Sequence, residues 1–128
     1  MLVVVKRVGL LLAGAVATVA LVSPSAAQSA IPVLVAKSGF HGAFKITLTF
    51  PDGRKVRTLP AGTYKFVVHD YSKAHNFALG SQTQNKRIFT TDIPWVGTRT
   101  YTLKLVPGSY AYACSAHFQT MNGRFVVR

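Results

Sequence analysis

A single cysteine, Cys114, opens the run Cys114-Ser115-Ala116-His117-Phe118-Gln119-Thr120-Met121, and an isolated His75-Asn76-Phe77 lies upstream. One thiolate, two imidazoles and one thioether are the donors of a trigonal His2Cys copper site with a weak axial Met, the ligand set of blue-copper electron transfer. Each residue alone has a plainer explanation. Cys114 would be an inert core thiol beside Tyr110 and Tyr112, His117 a loop histidine, and Met121 core filler. The combination Cys-x2-His-x3-Met at a strand exit, with His-Asn upstream, is far more specific than its parts. His75, Cys114, His117 and Met121 are therefore the candidate metal ligands.

Zinc is the main competing metal. Structural zinc uses paired cysteines or a His-x-x-x-His element, neither of which occurs here, and Met suits copper better than zinc. Because one cysteine cannot form an internal disulfide, Cys114 is an intermolecular disulfide partner, an inert buried thiol or a metal ligand. Only the last also shields the sulfur from oxidation outside the cell. His69 shares a face with Lys65, which points it to solvent, and His41, between Gly39-Phe40 and Gly42, reads as part of a flexible loop. Asn76 is either a turn residue or an amide that ties two ligand loops together and orients the ligands.

These ligands need a scaffold, and the first 27 residues do not belong to it. Lys6 and Arg7 precede an uncharged apolar stretch from Val8 to Val22, and Ser25-Ala26-Ala27 offers small residues for cleavage after Ala27. The stretch is shorter than the roughly 20 residues a membrane anchor prefers, which favours a removed export signal over an uncleaved anchor. Residues 28–128 then form one domain, too short for two cores. Exported to the periplasm or the cell exterior, the domain has a formal charge of +10 once Lys6 and Arg7 are removed from the chain's 15 Lys+Arg against 3 Asp+Glu. Such a field suits an acidic redox partner or an anionic membrane surface. No Lys/Arg block or nucleic-acid module is present, and nucleic acid is not expected as a partner.

Period-two alternation dominates the mature region. Phe44, Ile46, Leu48 and Phe50 share one face, and Pro51-Asp52-Gly53 turns the chain into Lys55 to Leu59 as a hairpin. Tyr64, Phe66 and Val68 alternate with Lys65, Val67 and His69, and a polar loop from Asp70 delivers His75. Tyr101, Leu103 and Leu105 form a further strand. Tyr110, Tyr112 and Cys114 line one face of the next, and Phe125 and Val127 complete the last. Gln82 to Asn85 reads as a surface loop and Arg87 to Phe89 as a short edge strand. Leu59-Pro60-Ala61-Gly62-Thr63-Tyr64 and Leu105-Val106-Pro107-Gly108-Ser109-Tyr110 echo each other, each a turn entering a strand that leads to a ligand. With no helical period, the expectation is an all-β Greek-key sandwich of seven or eight strands, its ligands converging where loops cluster at one end.

The stretches Ala61-Gly62-Thr63-Tyr64, Asp70 to Phe77, Pro107 to Tyr110 and Cys114 through Gly123 resemble the cupredoxins, particularly small bacterial proteins of the plastocyanin/azurin type, over nearly all of Phe40 to Val127. The resemblance implies one type 1 copper ion held by His75, Cys114, His117 and, axially, Met121, cycling between Cu(I) and Cu(II) as a one-electron carrier. Plastocyanin has one more residue between the second His and Met, and amicyanin one fewer; Ala116 stands where both usually have proline. A copper buffering or delivery module is the alternative function, and a metal-free sandwich that binds anionic surfaces is a second. The His-x-His pairs of a multicopper oxidase are absent, so no enzymatic activity is expected.

Overall fold

Nine strands build two sheets in a computed structural model that describes residues 9, 14–23, 25 and 27–128. Lys6, Arg7, the start of the apolar run, Pro24 and Ala26 of the expected leader lie outside these residues. Among the described residues no helix is long and apolar enough to cross a membrane. The strands are β1 Val33–Ser38, β2 Ile46–Thr49, β3 Thr58–Leu59, β4 Gly62–Asp70, β5 Ala78–Ser81, β6 Lys86–Thr90, β7 Gly97–Leu105, β8 Gly108–Ala113 and β9 Asn122–Val127. One sheet has the order β2-β1-β4-β7 and the other β3-β9-β8-β5-β6.

The alternation read from the sequence becomes the inner faces of these sheets. Leu34, Ala36, Ile46, Leu48, Phe66 and Val68 from one sheet meet Leu79, Phe89, Tyr112, Phe125 and Val127 from the other, and Cys114 and Met121 extend the same core. Burial of these apolar side chains is the main force closing the sandwich. Tyr112 reaches furthest: it is paired with Gly123 on β9, and a Cβ at Gly123 would overlap its ring.

Two strands escaped the alternation rule. β1 is an interior strand, antiparallel to β2 and parallel to β4, and its sequence Val-Leu-Val-Ala carries no polar partner residues to alternate with. On β5 the partly covered positions are Ala78 and Gly80, too small to mark a face, while Leu79 and Ser81 are buried. The expected edge strand is β6, joined to β5 across Gln82 to Asn85.

The expected hairpin after β2 forms but is short, ending at Val56 rather than running to Leu59. Gly53 adopts φ +88 and donates its N–H to Phe50 O at 3.0 Å, and the returning chain pairs with β2 through Phe50 N–H to Arg54 O at 2.8 Å, the bridge Thr49–Lys55 and Val56 N–H to Leu48 O at 3.1 Å. Val56 is fully buried between the sheets, and the chain crosses there to pair β3 in parallel with β9. Phe44 likewise leaves the apolar face assigned to it: it precedes β2 and is 64% exposed.

The echoed turns have a common structural cause. Each carries the chain from one sheet to the other, from β3 to β4 and from β7 to β8, and each tyrosine reaches back four residues. Tyr64 Oη donates to Pro60 O at 2.8 Å, and Tyr110 Oη donates to Val106 O at 2.7 Å while accepting Val106 N–H at 3.2 Å. These are tyrosine corners, satisfying buried hydroxyls and backbone together. Replacing Tyr110 with Phe should lower stability by about 1–2 kcal/mol with the fold intact. Urea denaturation measures the loss, and an unchanged midpoint would show that the corner is not a latch.

Candidate metal centre

Four loops meet at the end of the sandwich where β1 and β4 both finish. Past Asp70 the backbone folds into a tight turn, with Ser72 N–H donating to Asp70 Oδ1 at 3.3 Å and His75 N–H to Ser72 O at 3.1 Å. This turn drives His75 inward until it is buried. Gly39, at the end of β1, makes room for it. With φ +67 it sits in the left-handed region, and a Cβ there would stand 2.7 Å from Ser72 Cβ and 2.8 Å from His75 Cδ2.

Cys114 arrives from β8. The strand's period of two puts it on the inward face with Tyr110 and Tyr112, where it is fully buried. The chain then closes on itself: His117 N–H donates to Cys114 O at 3.1 Å, Met121 N–H to His117 O at 2.8 Å, and Cys114 N–H to Met121 O at 3.0 Å. The loop thus returns to β9 directly beside its starting point, with His117 half-buried at its turn and Met121 fully buried at its end.

Three donor atoms converge as a result. His75 Nδ1 and His117 Nδ1 are 3.1 Å apart, and Cys114 Sγ lies 3.8 Å from the first and 3.6 Å from the second. A point equidistant from all three lies about 2.0 Å from each, the length of a metal–nitrogen bond and slightly less than a metal–sulfur bond. No other group of three His, Cys, Asp or Glu side chains among the described residues is arranged to hold an ion. The three expected ligands His75, Cys114 and His117 are therefore brought together. Met121 is joined to them through its backbone. His69 is instead hydrogen-bonded through Nδ1 to Thr98 Oγ1 at 2.9 Å, and His41 is exposed; neither enters the cluster.

Asn76 ties the ligand loops. Its Oδ1 accepts Ser115 N–H at 2.8 Å, and its Nδ2 donates to Thr91 O at 3.1 Å and to the Ser115 hydroxyl, with Thr90 Oγ1 at 3.2 Å. Its carbonyl accepts the Ser38 hydroxyl at 2.8 Å. One buried residue thereby fastens the His75 loop to the Cys114 loop, to the end of β1 and to the chain after β6. Thr91 adds a second tie: its hydroxyl accepts Phe77 N–H at 2.8 Å and donates to Asp70 Oδ2 at 3.1 Å.

Charge follows from burial. Desolvation pushes the Asp70 carboxyl above the usual carboxylate range, with the Ser72 amide and Thr91 hydroxyl opposing it in part. Burial, reinforced by the neighbouring His117, pushes His75 below the ordinary histidine value. The shift favours the neutral imidazole, the form that ligates a metal.

Sequence reasoning did not find Asp70, Thr91, Ser38 and Ser115 as supports, because they come from four separate segments and only folding places them together. It also misassigned Phe44. That ring lies edge-on to both imidazoles, with centroids 5.0 Å from His75 and 4.8 Å from His117.

The two sheets and the loop cluster at one end define a cupredoxin-type sandwich. Solved structures that share this fold include several of rusticyanin. The copper protein rusticyanin aligns with a TM-score of 0.58 at 19% identity, over 75% of this chain and 76% of that one. Its reduced form gives 0.56 at 18% identity over 75% and 78%. Rusticyanin from Thiobacillus ferrooxidans gives 0.52 at 18% identity over 75% and 76%. At these identities the likeness is one of fold. No protein-family model matches the chain, and no curated protein matches it significantly.

Replacing Asn76 with Ala strands the Ser115 N–H and Thr91 carbonyl that it now satisfies. Metal affinity should fall about 10- to 100-fold, measured by competition with a chelator of known affinity. Affinity equal to wild type would mean that the ties are dispensable.

Proposed function

We propose that this chain is an exported one-electron carrier holding a single type 1 copper ion through His75, Cys114 and His117, with Met121 as the axial donor. The observation that carries the reading is the convergence of two imidazole nitrogens and one thiol sulfur at mutual distances of 3.1, 3.6 and 3.8 Å. Two nitrogens and a thiolate fit copper in a trigonal arrangement, and a buried thioether suits its long axial bond. The shared fold with rusticyanin, a copper protein, supports the same reading. Copper held this way would supply a Cu(I)/Cu(II) couple, and a site that offers both states the same donors requires little rearrangement when an electron moves.

The protein's part is to keep the donors from moving. Binding releases the Cys114 proton, burial holds His75 neutral, and the Asn76 and Thr91 ties fix both ligand loops whichever charge the site carries. These ties favour electron transfer over copper delivery, since surrendering the ion requires the loops to separate. His117 is the more exposed of the two histidines and forms the edge through which an electron passes, with Phe118, 62% exposed, as a contact residue.

The partner we propose is acidic. Two of the three acids, Asp52 and Asp92, are paired with Arg54 and Arg99, and the third, Asp70, is buried. Almost all the surface cations are therefore uncompensated, and the field favours an acidic redox protein or an anionic membrane surface. Export with cleavage after Ala27 belongs to this reading, and such cleavage leaves every strand whole because β1 begins at Val33.

Copper(II) added to metal-free protein should produce an intense thiolate-to-copper absorption band and narrow copper hyperfine splitting. Cys114→Ala should abolish both while circular dichroism stays unchanged; a surviving blue band in that variant would refute the ligand assignment. Raising ionic strength from about 0.01 to 0.15 M shortens the screening length from about 30 to 8 Å. Electron exchange with an acidic partner should slow several-fold over that range, and stopped-flow rates that do not respond to salt would eliminate steering.

A further inference from the structure

Phe44 is a large apolar side chain left 64% exposed, four residues before the buried Leu48 and on no core face. Its ring stands with the His75 and His117 rings in a nearly equilateral triangle, with centroid separations of 5.0, 4.8 and 4.8 Å and all three planes steeply inclined. Edge-to-face packing is directional, so such a ring restrains the orientation of both neighbours. The loop that presents it is closed by its own backbone: Gly42 N–H donates to Gly39 O at 2.9 Å, Ala43 N–H to Phe40 O at 3.2 Å, and Gly39 N–H to Lys45 O at 3.0 Å. Positive φ at Gly39, His41 and Gly42 makes that compact path possible. The first residue of the loop, Gly39, abuts His75, and Phe44, next to its closing residue Lys45, abuts both imidazoles. Opposite Phe44, across a shallow depression, lie Ala116, His117 and Phe118.

We infer that Phe44 is a positioning residue for the metal centre: its ring holds the two imidazoles at their mutual angle and covers the outer side of the three donor atoms against water. This rests on the copper reading given above and extends it to a residue outside the ligand loops. An apolar cover disfavours the more highly charged state of the site. With one thiolate and two neutral imidazoles, that state is the one containing Cu(II), so the ring raises the reduction potential. It also obstructs small competing ligands.

Because Phe44 is largely exposed, Phe44→Ala should fold and melt as the wild type does. In its copper form the potential should fall, and removal of copper by a chelator should quicken about tenfold. Phe44→Tyr keeps the ring and should restore both. A variant that folds but takes up no copper, while Phe44→Tyr does, supports the same role. A wild-type potential and removal rate in Phe44→Ala would overturn it, as would failure of Phe44→Tyr to restore either.

A metal-free arm separates this inference from the copper reading. In apo protein the nuclear Overhauser contacts between the His75 and His117 rings, whose centroids are 4.8 Å apart, should weaken when the Phe44 ring is removed. If they are unchanged, Phe44 does not hold the imidazoles, and the inference fails even where copper binds. If they weaken in a chain that takes up no copper, the positioning stands and the copper reading is what fails.

Discussion

One buried amide organises the end of this molecule where the three donor atoms converge. Asn76 has been taken out of water, so its carbonyl oxygen and its NH2 group must find partners inside the protein or destabilise the fold. The partners it finds belong to different segments: Ser115 beside Cys114, and Thr91 beyond β6, with Ser38 at the end of β1 bonded to its backbone carbonyl. Satisfying that amide therefore requires the two ligand loops, the first strand and the β6–β7 connection to be in place at once. The position of His75 relative to Cys114 follows from that requirement. The donor triangle is fixed from outside by these hydrogen bonds, in addition to the backbone bonds that close the Cys114 to Met121 loop on itself.

The rest of the scaffold is arranged around the same division of labour. Both tyrosine corners lie at the end remote from the ligands, where β4 and β8 begin, and they latch the points at which the chain changes sheets. Aromatic packing fills the space between: Tyr112 stacks on Phe77 at 5.4 Å, and Phe77 on Phe89 at 6.1 Å. Phe77 follows the His75-Asn76 pair and Tyr112 lies two residues before Cys114. The core itself thus reaches up to the donor cluster and gives the loops of His75 and Cys114 a rigid floor.

Of the three residues whose donor atoms converge, Cys114 and His117 were legible because they sit three positions apart on a single turn, where type and spacing constrain each other. His75 was legible by type alone, once a Greek key was expected to bring distant strand ends together. The supports were not: Asp70, Thr91 and Ser38 are ordinary polar residues until burial leaves them only one another to bond. Strand order was equally hidden. β1 lacks alternation, and the stretch after Gly53 looks like the second arm of a hairpin until Val56 drops into the core and carries the chain across. Phe44 fitted the period-two pattern of its neighbours, but the strand begins only at Ile46, and a pattern cannot reveal where a strand starts.

The first and last strands described are both interior. β1 lies between β2 and β4, and β9 lies between β3 and β8. A chain emerging N-terminus first from a ribosome or a translocation channel can assemble β2-β1-β4-β7 early, but β3 has no neighbour in its own sheet until β9 arrives. That arrival pulls the Cys114 to Met121 loop shut, because the backbone bond from Cys114 to Met121 forms only as β9 aligns with β8. The closed form of the loop that carries Cys114 and His117 therefore depends on the pairing of the last strand described, so the geometry of the three donor atoms is as secure as the β8–β9 ladder.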